Sequence, residues 1–71
     1  MNHTEIKAAR QALGLSLSQF AALLDTDPTT TRRLEMDPRH STARAPAPRM
    51  VRLITAMLDG WRPSDWPEGV A

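Results

Sequence analysis

The chain lacks cysteine altogether and has only three glycines among its 71 residues. Without cysteine there can be no disulfide, no thiolate zinc site and no thiol nucleophile, a composition that fits an intracellular protein. The glycines are too few and too scattered for a phosphate-cradling loop. His3 and His40 have no partner at metal-ligand spacing, so both read as surface residues, and neither a metal nor another cofactor is expected. No apolar run approaches the ~20 residues a membrane-spanning helix requires. The segment Met1 to Glu5 carries no basic, apolar leader, and a cytoplasmic, nucleoid-associated location is expected. The acids stand at caps and turns, where no nucleophile–base pair can be assembled, so no enzyme is expected. A chain of this length makes one domain with a core few side chains deep, marginal in stability unless a second subunit adds buried surface.

What is present is arginine, unevenly placed. The net charge is only +1. Yet residues 32 to 52 hold six arginines (Arg32, Arg33, Arg39, Arg44, Arg49, Arg52) against Glu35 and Asp37, a local charge of +4. The remainder sets three bases against six acids, or −3. Such asymmetry in a small domain points to a polyanionic partner on one face, or to a solvated basic loop. Arginine suits the first role because its planar fork makes paired contacts with phosphate and guanine.

Apolar spacing divides the chain into four helices. The first is expected from about Thr4 to Leu13, with Ile6, Ala9 and Leu13 on one face and Gly14 as a left-handed stop. The second opens behind Ser16, capped by its hydroxyl, while Gln19 reaches back to complete a capping box. Phe20, Ala21, Leu23 and Leu24 form its buried side. Asp25-Thr26 makes a turn, Asp27 caps the third helix, and Pro28 takes its first position without losing a hydrogen bond. That helix is expected to end near Met36, before Asp37-Pro38. A Pro-, Ser-, Thr- and Arg-rich loop runs from Asp37 to Ala47. The fourth helix follows Pro48 and ends at Gly60, with Met50, Leu53, Ile54, Met57, Leu58 and Trp61 at i, i+3, i+4 spacing. No internal repeat or alternating strand pattern is present. The expected fold is a compact all-α domain over residues 1–60, followed by an irregular tail over 61–71 that packs on the core or on a dimer interface.

Two short helices joined by a tight turn, the second opening on a cap and proline and then showing two arginines, have the layout of a helix-turn-helix. From Ser16 to Glu35 the sequence resembles the Cro and phage-repressor type of that motif, the XRE family, whose fold is lambda-repressor-like. The resemblance extends to Arg10 and Leu13-Gly14-Leu15 and so covers about half the chain. Phe20-Ala21 matches the apolar–alanine pair of the family's second helix, and Leu34-Glu35 the apolar–acid pair closing its third. It implies a structural ion pair between Arg10 and Glu35. The sequence departs from the pattern at Asp25, where the family has glycine, at Thr31, where it has an aliphatic residue, and at Pro28, where it often has a base-reading polar residue. The run Arg44-Ala-Pro-Ala-Pro before an apolar helix is similar to the small phage regulators associated with anti-CRISPR genes.

Leu34, Thr31, Thr30 and Asp27 share the inner side of the third helix, leaving Thr29, Arg32, Arg33 and Met36 outside. Thr29 and Arg33, four residues apart, are expected to look into the major groove, with Arg33 forking onto a guanine and Thr29 touching a thymine methyl or a phosphate. Arg32, one step around, suits a base or the backbone. Phosphate contacts are expected from Ser16, Ser18 and Gln19, as the resemblance implies, and from Thr30, Arg39, Arg44 and Arg49, with Arg52 alongside.

The stripe Leu53, Ile54, Met57, Leu58, Trp61 and Trp66 is wider than three short helices need and is expected to join two copies, unless the tryptophans complete the chain's own core. The resulting expectation is a homodimeric transcriptional regulator, most simply an (auto)repressor, binding an inverted repeat in promoter double-stranded DNA. The alternative is an antitoxin-like or adaptor module that keeps the fold for a protein partner.

Overall fold

Four helices follow one another in the computed structural model, which describes residues 1–70: α1 (His3–Ala12), α2 (Leu17–Leu23), α3 (Pro28–Leu34) and α4 (Pro48–Leu58). No strand is present among the described residues. α2 packs against α3, and α1 against α4.

Each helix start has a local chemical cause. At α1, Asn2 Oδ1 accepts from the Glu5 backbone at 2.8 Å while the Glu5 carboxylate accepts from the Asn2 backbone at 2.8 Å. This reciprocal cap sets the start one residue earlier than the apolar pattern indicates. Ser16 and Gln19 make the same exchange at α2, at 3.1 and 2.9 Å. Asp27 Oδ1 accepts from the Thr30 backbone at 2.7 Å, and Pro28 follows in the first turn of α3. α4 has no side-chain cap and relies on Pro48, whose ring presets the helical φ.

Three helices end alike. Beyond α1, α2 and α4 a residue turns left-handed, at Gly14 (φ 72), Asp25 (φ 58) and Gly60 (φ 104). The next amide then reaches back to the last turn: Leu15 to Arg10, Thr26 to Ala21, and Trp61 to Ala56, all within 3.1 Å. This double reversal satisfies orphaned carbonyls and turns the chain sharply. Among the described residues Asp25 is the one non-glycine with positive φ, which a short polar side chain tolerates at some cost.

α3 closes at Leu34, two residues short of the expected Met36. The amides of Glu35 and Met36 reach only three residues back, to Arg32 and Arg33, so the last turn tightens out of α geometry. The Arg33 carbonyl also accepts from Arg44 at 3.1 Å, which straps the 37–47 loop onto the end of this helix.

The core joins Ile6, Ala9, Leu13, Leu15, Phe20, Leu24, Leu34, Ile54 and Met57. Thr31 lies among the fully buried side chains, and its hydroxyl donates to the Asp27 carbonyl at 3.1 Å, so the buried polar group is satisfied inside its own helix. Below it, the Arg10 guanidinium bonds Glu35 through two nitrogens at 2.8 and 3.1 Å and the Leu15 carbonyl through a third at 3.1 Å. One charged group thus ties α1, the α1–α2 turn and the end of α3.

Residues 59–70, after α4, form no helix but fold back. Trp66 and Val70 pack on the core, and the Trp66 indole donates to the Val70 carbonyl at 2.9 Å. Arg62 stacks over the Trp66 ring at 4.3 Å and donates to the carbonyls of Met57 and Trp61. A cation at a helix C-terminus thereby also holds the tail in place.

Candidate nucleic-acid interface

The exposed side of α3 is made by elimination. Thr31 and Leu34 point into the core, and the Thr30 hydroxyl donates to Asp27 Oδ2 at 3.0 Å. What remains facing outward is Thr29 and Arg32, both exposed, and Arg33, half-buried. Neither arginine has an ion-pair partner among the described residues. Asp27 lies near enough for the Arg33 charge to help hold its carboxyl below the ordinary range, after the larger effects of the Thr30 backbone and hydroxyl.

Arg33 does not stand alone. It lines a polar depression of about 320 Å3 with Ser41, Thr42, Ala43 and Arg44. The strap from the Arg44 amide to the Arg33 carbonyl brings these two cations, eleven positions apart in sequence, to one site. Two arginines beside Ser41 suit an anion with several acceptor oxygens, while the Thr42 hydroxyl is engaged by His40 Nδ1 at 2.9 Å and the Met36 sulfur at 3.4 Å. Ser41 and Thr42 went unnoticed in the sequence because they sit in a loop with no periodicity. The only signal there was the richness of that loop in arginine and hydroxyls.

The other arginines are sorted differently. Arg10 is committed to Glu35, with the two side chains only 16% and 8% exposed. Its pKa is raised, chiefly by the hydrogen bonds to Glu35. Arg39, expected at phosphate, grips Asp37 at 2.8 Å in an exposed pair that raises the Arg39 pKa and lowers that of Asp37. Arg49 and Arg52 line a separate groove on α4 with Leu53, Ala56 and Trp61, away from the depression beside α3. The single basic face suggested by the charge count is therefore divided.

At α2, Ser16 and Gln19 spend their side chains on each other's backbones, leaving Ser18 exposed without a side-chain hydrogen bond among the described residues. Arg44 is exposed at the rim of its depression.

Two expectations need correction. His3 is not a surface residue: it is half-buried, and its Nδ1 is shielded without a partner. It lines a mainly apolar cavity of about 360 Å3 whose walls include Leu34, Met36, Pro38 and Pro46. The expected dimer stripe also breaks up, because Ile54 and Met57 are fully buried in the core and Trp66 packs on it. Leu58 is 46% exposed but lies about 140° around the helix axis from Leu53, on the other flank. Leu53, half-buried against the core, and Trp61, 47% exposed, share the groove on the flank of α4.

No helix among the described residues is long and apolar enough to cross a membrane, and no cluster of His, Asp and Glu there could hold a metal ion. Comparison with protein-family models, with curated proteins and with solved structures found no match to this chain.

Proposed function

We propose that this protein is a sequence-specific double-stranded DNA-binding regulator of the helix-turn-helix type, acting as a homodimeric repressor, in the simplest case of its own promoter. The supporting observation is the pair Arg33 and Arg44, drawn together beside α3 with no acidic partner. Neither arginine is held in an ion pair among the described residues, so both are available to a phosphate or a guanine edge. α3 enters the major groove, with Arg33 on the O6 and N7 of a guanine and Thr29 on a neighbouring base or phosphate. Arg32 and Arg44 hold the backbone, and Ser18 contacts it from α2.

Selection from random duplexes at near-physiological salt tests this assignment. A regulator enriches an inverted repeat with half-sites about 34 Å apart, one helical turn. Binding indifferent to sequence, or none, overturns it.

A second assignment, an adaptor or antitoxin-like module on the same scaffold, draws on the apolar groove of α4. Alanine at Arg33 separates the two, since an adaptor keeps its partner while a DNA reader loses affinity.

A further inference from the structure

Along α4 the residues Arg49, Arg52, Leu53, Ala56 and Asp59 fall at i, i+3, i+4, i+7 and i+10, a single stripe on one flank. Four of them, all but Asp59, line an open groove of about 620 Å3 closed at its far end by Trp61. Asp59 is exposed just past the last helical turn and makes no ion pair among the described residues. The stripe is thus basic at its start, small in the middle, and acidic and aromatic at its end. That order is complementary to itself when reversed.

We infer that this flank of α4 docks against a second copy of the chain, antiparallel, about a two-fold axis beside Ala56. Positions 52 and 59 have their midpoint between Thr55 and Ala56, and positions 49 and 61 have theirs at Thr55, half a residue away. Each Arg52 then faces the partner's Asp59, and each Trp61 lies against the partner's Arg49, a cation over an aromatic face. Ala56, with the smallest side chain of the stripe, lets the helix axes approach to the ~8–10 Å of packed helices. A parallel pair would set like charges against each other, and a nucleic acid here would meet Asp59. Arg49 is therefore an interface residue, with Leu53 and Trp61 the apolar content of the contact. Leu58, on the other flank, takes no part.

The interface rests on the dimeric regulator proposed above, yet its test needs no DNA. Sedimentation of the full chain alone, from micromolar to near-millimolar concentration, is expected to show a monomer–dimer equilibrium. Ala56→Arg places a long charged side chain at the axis and raises the dimer Kd about 100-fold or more, with far-UV circular dichroism unchanged. Arg52→Asp or Asp59→Arg alone weakens the dimer about tenfold, and the double variant Arg52→Asp/Asp59→Arg restores it. A parallel dimer would respond to neither single reversal. A monomer at every concentration, a dimer indifferent to Ala56→Arg, or a double variant as weak as the singles each overturns the interface. A monomer that still selects a half-site would sink the interface and the dimeric state but leave sequence-specific DNA binding standing, whereas an intact dimer that selects no sequence would sink the DNA reading alone.

Discussion

Arg10 and Glu35, twenty-five residues apart, share a two-nitrogen ion pair at 2.8 and 3.1 Å beneath α3. The third guanidinium nitrogen donates to the Leu15 carbonyl, so every nitrogen of Arg10 and both carboxylate oxygens of Glu35 are engaged within the fold. Removing one partner strands a buried charge. Arg10→Ala and Glu35→Ala are each expected to cost roughly 3–5 kcal/mol, and the double variant no more than the worse single. Urea unfolding measures this directly. Losses that add in the double variant would show that the two groups act separately. DNA-binding defects in either single variant would report unfolding and would not identify a contact.

Arg33 and Arg44 share a depression but are expected to act differently on DNA. Arg33→Ala should lose about 1–3 kcal/mol of specific affinity and relax preference at one base position. Arg44→Ala should weaken all sequences alike and make the slope of log K against log salt shallower by about 0.9. Fluorescence anisotropy titrations at several salt concentrations separate these effects. Arg39→Ala is the comparison, since its charge is already engaged by Asp37, and it should change the slope less than Arg44→Ala. Equal changes for the two would mean that the Asp37 pair opens on binding.

Asp25 occupies a left-handed position at φ 58 that glycine fills without strain. Asp25→Gly is expected to stabilise the domain by up to about 1 kcal/mol, because the strain it relieves is worth roughly 1–2 kcal/mol and glycine gives part of it back in chain entropy. In a domain of this size that raises Tm by about 4–8 °C per kcal/mol. An unchanged or lower Tm would mean that the Asp25 side chain supports the turn between α2 and α3.

Asp27 has its pKa lowered first by the Thr30 backbone amide, then by the Thr30 hydroxyl, with Arg33 adding a smaller charge effect. A carboxyl depressed on folding stabilises the native state fully above its unfolded value of about 4. That contribution disappears as pH falls through the lower, folded value. Asp27→Asn keeps an acceptor for the Thr30 amide but cannot titrate, so its Tm should fall less steeply below about pH 4 than that of the parent chain. Asp37, lowered by Arg39, acts in the same window and remains in both proteins. Melting curves with the same acid dependence in the two would place the titration elsewhere.

Helices were legible wherever their causes were local. Ser16 with Gln19, Asp27 with Pro28, and Gly14 each act within a turn of chain, and the structure has the corresponding cap, start and stop. Asn2 with Glu5 carries the same kind of signal, although the apolar pattern began later. The two sides of α3 followed from periodicity only in part: Thr31 and Leu34 are buried and Thr29 and Arg32 exposed, but Asp27, expected inside, is exposed, and Arg33 and Met36, expected outside, are half-buried. Where α3 stops was not wholly local, because the Arg33 carbonyl is shared between the tightened last turn and the amide of Arg44, eleven residues onward.

Spacing could not divide the apolar stripe of α4. Met50, Leu53, Ile54, Met57 and Leu58 all fit the i, i+3, i+4 pattern, and only packing against α1 and the returning tail decides that Ile54 and Met57 are buried, Met50 and Leu53 half-buried and Leu58 exposed. Nor could a count of arginines distinguish those already engaged by Glu35 and Asp37 from those left open beside α3 and along α4. By itself, the sequence determined where helices begin, the turn between α2 and α3, and part of the outward face of α3, because caps, prolines and left-handed residues act through bonds a few atoms away. The tertiary structure alone decided which cations stand together and which apolar side chains stay exposed. Those properties depend on distances between segments far apart in the chain, and on how much of each surface another segment has already covered.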